Sequence, residues 1–370
     1  MRTLVAVFWR YIVGALFTLT PVTAIIVVGW TQRATARSVA RRWHSQATAT
    51  EGDFASFASA DADTAALARW PRWVMADNAA ELLAEARTAG VTRGLPLMLR
   101  ALFGSLWLNA VLGVRALIPI AIVALPAGVL FLFSWWAGWD NSFNKGYEQA
   151  GIGQLIAFAG IAYFVVAMTF LPLAEVRQAV NNSWRSFFDL AFLRRAAREA
   201  RLGLIGIAVA FVTAGFVVAA LKAAPLGLGN AAATPEDALR LANGYPLFVA
   251  AILFPLYVAL RLVAARVFAR ATAKLAAKDG TGIFAPRERL LLERLALDGS
   301  PQPARGNFSK LVLGSGTVAA GALASAVMFA VWFALAAEIY VSQFLVHDWM
   351  HWINHPLIQL PWSGSIFWPP

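Results

Sequence analysis

The sequence predicts an all-α, polytopic integral membrane protein with about six transmembrane helices plus interfacial and cytoplasmic amphipathic helices, and three observations predict it. Of 370 residues, 59% are hydrophobic and 14% charged, and the mean hydropathy is +0.63, which excludes an ordinary water-soluble chain. Six stretches approach or exceed the roughly 20 apolar residues that cross about 30 Å of hydrocarbon, where only a helix satisfies its own peptide groups. Lysine and arginine alternate between those stretches as they do in loops retained in the cytoplasm.

The first span is expected over residues 11–30, so residues 1–30 read as a retained transmembrane helix: the apolar run is longer than the core of a signal peptide. Residues 31–115 follow as a cytoplasmic segment, rich to residue 90 in Ala, Asp, Glu, Ser and Arg and poor in large apolar side chains that build a core. Within it, Val74, Leu82 and Leu83 alternate with Asp77, Glu81, Glu85 and Arg87, which predicts a short surface helix capped by Gly90. Glu81 and Glu85 stand four apart beside arginine and read as a solvated face rather than an acid–base pair. Residues 97–114 are apolar but bracketed by Arg100 and Arg115 with Asn109 inside, the pattern of a helix lying at the membrane surface.

Spans two and three, over residues 116–137 and 151–173, form a hairpin (116–173) followed by a basic loop, 174–201. Spans four and five, over residues 202–224 and 246–263, form a second hairpin (202–263), with Pro255 expected to kink the fifth. Pro172-Leu173 followed by Arg177 loosely echoes Pro255-Leu256 followed by Arg261, a faint sign of duplication. A basic segment, 264–310, leads to the sixth span, 311–340, and then to a tail, 341–370, rich in Trp and His and free of Lys and Arg.

The charge distribution orients these elements. Residues 31–115, 174–201 and 261–310 hold 26 of the 31 Lys and Arg, which places them in the cytoplasm and both termini outside, in a bacterial-type inner membrane. The net charge of +11 therefore belongs to the cytoplasmic face, where anionic lipid headgroups are its natural partner and nucleic acid is not. Arg266, Arg270, Lys274 and Lys278 recur every four residues beside Val267, Phe268, Ala271 and Leu275, a cationic stripe suited to lipid or an acidic partner. Lys222, Arg261 and Glu338 stand near span ends and are expected to snorkel to water.

Two further features bear on function. Gly314, Gly316 and Gly321 open the sixth span among alanines, which predicts close packing against another helix of the same chain, a membrane-protein partner or a second copy. Three of the four His are His347, His351 and His355; the first two share a helical face with Asp348 close by, which is metal-ligand spacing. Trp349, Trp352, Trp362 and Trp368 give the same tail the look of an interfacial anchor. The motifs of nucleotide, calcium and nucleophile sites and HExxH are missing, the absence of Cys removes thiol chemistry, and no cofactor is specified. The leading expectation is a non-enzymatic protein that supports, assembles or organises a membrane complex. The alternatives are a small-molecule permease or channel, and a metal-binding protein or enzyme using His347, Asp348 and His351.

Overall fold

A computed structural model describes residues 2–47, 52–137, 150–231, 234–297, 307–342 and 350–366. Every regular element among them is helical. Five helices are long and apolar enough to cross a membrane: α5 (Gly90–Trp135), α6 (Ala150–Asn181), α8 (Arg201–Ala231), α9 (Pro235–Asp279) and α11 (Asn307–Val341). The chain is thus an all-α, multi-pass membrane protein. Each of the five overlaps one of the stretches expected as spans two to six.

The stretch expected as the first span is instead two helices, α1 (Arg2–Phe17) and α2 (Pro21–Gln46). The break is chemical: Pro21 disfavours helical backbone at Thr20, whose hydroxyl accepts from the Thr23 N–H (3.2 Å) and so starts α2 afresh. Both helices pack on α9, where Tyr11 donates to the Ala251 carbonyl (2.9 Å) and Gly14 meets the Phe254 ring. α2 then crosses α5 so closely that a Cβ on Gly29 or Gly113 would overlap the other helix's backbone carbonyl.

The surface-lying helix expected over residues 97–114 is not separate. It is the first half of α5, which runs unbroken through Pro96, Pro119 and Pro126 into the second span. The fifth span likewise continues through Pro255 and out into the cationic stripe as one helix, α9. The segment from residue 31 onward has more core than its composition promises, because α2 extends to Gln46 and buries Ala34, Ala36, Val39 and Trp43. Trp30 stacks on Trp73 (4.6 Å between ring centroids) and donates to the Pro71 carbonyl (3.0 Å), tying the 52–79 stretch to α2. The short helices α3 (Phe54–Ser59) and α4 (Ala79–Thr88) follow, with Glu81 and Glu85 exposed and Gly90 at φ +72° beyond the end of α4.

Two more short helices, α7 (Leu190–Glu199) and α10 (Pro286–Arg294), close over the C-terminal end of α6. The clamp is Arg177, buried under the Phe192 ring (3.6 Å), with Asp189 at 2.7 Å and Glu288 at 3.4 Å. Burial pushes the Glu288 carboxyl above its ordinary range, with Arg177 opposing it.

Candidate functional site

The unusual feature of this fold is what fills the bundle. Residues 350–366 turn back among the helices, and Trp352, Leu357, Ile358, Trp362 and Ile366 are all buried. Trp352 packs against Tyr340, Trp135 and Phe131, with its carbonyl where a Cβ on Gly128 would stand. At the far end of the segment the Ser363 N–H donates to the Thr18 carbonyl (2.9 Å) and the Trp362 indole to that of Leu19 (3.2 Å). The tail thereby takes up carbonyls released by the break before Pro21. An interfacial anchor, the expectation from its tryptophans, is therefore corrected for Trp352 and Trp362, which lie in the protein interior; Trp349 and Trp368 lie outside the described residues.

Local polar bonds hold the segment in shape. The Asn354 side chain donates to the Leu360 carbonyl (3.1 Å) and accepts from the Leu360 N–H (3.0 Å). Gln359 bridges the Ile353 carbonyl and the His355 N–H, each at 2.6 Å. Carboxamides supply a donor and an acceptor at one position, which suits a buried loop lacking helical partners.

Two ion pairs receive the tail. In the first, Lys222 of α8 lies 3.6 Å from Glu338 of α11 and donates to Nδ1 of His351 at 3.2 Å. Nε2 of His351 then carries the hydrogen that bonds the Ile339 carbonyl (2.7 Å). His355 accepts from the Leu357 N–H at Nδ1 (3.4 Å), so its Nε2 donates to Glu338 at 3.3 Å; the Ser342 hydroxyl donates to the other carboxylate oxygen (2.7 Å). Burial, with the Lys222 ammonium alongside, pushes the His351 imidazole down to about 3, and burial also lowers His355. Both rings are held neutral between a cation and an anion.

The second pair is Arg261 of α9 with Glu175 of α6, 2.7 Å apart. The guanidinium, stacked on Tyr257, donates from Nη1 to the Leu357 carbonyl (3.1 Å) and from Nη2 to the Ile358 carbonyl (2.8 Å). A planar fork with fixed donors grips two successive carbonyls as an ammonium cannot. Lys222, Arg261 and Glu338 therefore do not snorkel: each is at most 9% exposed. A charge in a low-dielectric interior needs a partner more than it needs to reach water, and each of the three has one.

The sequence-derived candidates fall in three places. His351 is in the tail cluster with both ring nitrogens engaged, while His347 and Asp348 lie outside the described residues. Among the described residues no three of His, Asp and Glu are grouped to hold a metal ion. Arg266, Arg270, Lys274 and Lys278 are all exposed along one side of α9, with Lys278 paired to Glu199 at 3.1 Å. Gly321 faces the Arg201 guanidinium, 3.2 Å from where its Cβ would be; Gly314 and Gly316 are on α11, their surroundings outside the described residues. Glu175 escapes sequence reasoning because it sits just past the expected end of an apolar run. The signal that could find it is the spacing Glu175, Arg177, Gln178, three polar residues on the end of a span that continues as helix to Asn181.

Fold and interior together define a class: a multi-pass membrane protein with five candidate spans among its described residues and with residues 350–366 buried among its helices. No protein-family model matches the chain, and no curated protein or solved structure matches it either.

Proposed function

We propose that this chain is a non-enzymatic protein of a bacterial-type inner membrane that supports, assembles or organises a membrane complex. The observation that carries the reading is the outward face of α5. Its 46 residues make a rod of about 69 Å, more than twice the hydrocarbon thickness. Large apolar side chains face outward along all of it, from Val91, Leu95 and Leu99 through Phe103 and Trp107 to Ile122, Val129 and Phe133. A single crossing places about 20 residues in lipid, so about half of these exposed side chains need another cover, and an apolar helical face of a second membrane protein supplies one. The filled centre supports the same reading, since the chain's own tail occupies the place where a permease keeps its substrate.

Photo-crosslinking residues placed at Phe103, Trp107, Ile122 and Val129 test it in native membranes. The expected result is a discrete protein adduct from Phe103 and Trp107 and lipid adducts from Ile122 and Val129. Lipid adducts from all four positions would overturn the reading.

The permease reading draws on one observation, the ion pairs Lys222–Glu338 and Arg261–Glu175 within candidate spans, where ionisable groups are costly and commonly functional. It requires the tail to leave. Ion flux through proteoliposomes that rises when residues 350–370 are deleted would favour it over the first.

A further inference from the structure

A cleft opens where α7 meets α6, α8 and α11, with a volume of about 320 Å³. Arg194 and Arg198 of α7 and Arg201 at the start of α8 line it, and among the described residues no Asp or Glu does. The arrangement follows from the sequence of α7: Phe192, Leu193 and Ala196 are buried, so residues 194 and 198, one turn apart, share the opposite, exposed face. The nearby acids have other cations: Glu199 pairs with Lys278 at 3.1 Å and Asp279 lies 3.9 Å from Arg195. Beyond the arginines the walls become apolar, with Phe170 and Met328 inside the cleft. Leu202 (83% exposed) and Leu323 (67% exposed) stand outside it, and Phe216 and Phe329 continue outward-facing along α8 and α11.

We propose that this cleft binds one phospholipid of net negative headgroup charge, with its phosphate on Arg194, Arg198 and Arg201 and its acyl chains along the apolar faces of α8 and α11. Guanidinium groups meet phosphate oxygens in paired, charge-assisted hydrogen bonds, and basic pockets between membrane helices hold anionic headgroups. A free anion has no use for the exposed apolar side chains beyond the arginines, whereas a lipid engages both parts. Among the described residues no carboxylate lines the cleft to receive the ammonium of a zwitterionic lipid, which favours the anionic class. Gly321 contributes by absence: a side chain there would press on the Arg201 guanidinium at 3.2 Å.

The test is native mass spectrometry of the delipidated full-length protein titrated with phosphatidylglycerol or phosphatidylcholine. The site is expected to take up one phosphatidylglycerol saturably. The pair R194Q/R198Q should weaken uptake about tenfold or more, on the scale of two basic residues near a lipid surface. R266Q/R270Q removes the same charge from the α9 stripe and should leave that affinity within about twofold. R194K/R198K, with the melting midpoint of the unaltered protein, should fall between, because charge remains while the paired geometry is lost. Equal uptake of phosphatidylcholine, an equal loss in R266Q/R270Q, or displacement of the lipid by millimolar inorganic phosphate would each overturn the proposal.

Discussion

Arg261 and Arg266 are five residues apart on the same helix, yet one is 3% exposed and fastened to a carboxylate and two carbonyls while the other stands in the open. The difference is angular. Arg261 shares the face of Tyr257, Ala264, Ala265 and Phe268, which is buried; Arg266, Arg270, Lys274 and Lys278 share the opposite face, which is exposed. The role of a given arginine therefore depends on which side of the helix it leaves, which a count of arginines in a loop does not register. The buried set closes the bundle on its own tail, and the exposed set is available to lipid.

Substitutions in the two sets should separate them. The largest effect is expected from removing one member of a buried pair: Glu338→Ala or Arg261→Ala should cost about 3–5 kcal/mol in a reversible detergent unfolding titration, because the remaining charge is stranded. Lys222→Met combined with Glu338→Gln should cost less than the sum of the two single changes. Next comes Gly128→Val, whose side chain would meet the Trp352 backbone; about 1–3 kcal/mol and greater protease access to the tail are expected. A smaller effect concerns acid. His351 has an ordinary value of 6.5 and is held near 3, so its neutral form contributes stability above about 6.5 that is lost as pH falls toward 3. The drop in melting temperature from about pH 7.5 to about pH 5 should accordingly be smaller in His351→Gln than in the unaltered protein. The smallest effect is expected on the open face: Arg266→Gln with Arg270→Gln should change stability by no more than about 0.5 kcal/mol.

Hydropathy makes five long apolar helices legible, since such helices need little beyond composition to declare themselves. The break in the first expected span is also written in the chain, at Pro21 behind Thr20, but a long apolar run masks a single helix breaker. The tail misleads for a different reason. Tryptophan suits both a bilayer interface and a protein interior, and its ring alone does not distinguish them. Two signals are present: Asn354 and Gln359, which brace a buried loop, and Lys222, Arg261 and Glu338, which need partners wherever they are buried. Pairing across 129 residues, as between Lys222 and His351, has no local periodicity and so leaves no pattern along the chain.

The C-terminal segment is built into the bundle, and the lack of native cysteine permits a clean measurement of that placement. Thr18→Cys with Ser363→Cys, oxidised in native membranes, puts two thiols at positions whose backbones share a hydrogen bond of 2.9 Å. Rapid intramolecular disulfide formation is predicted, with the thiol at position 363 of the Ser363→Cys single variant shielded from a membrane-impermeant maleimide. Absence of that disulfide, with the same thiol labelled from the aqueous side, would contradict it.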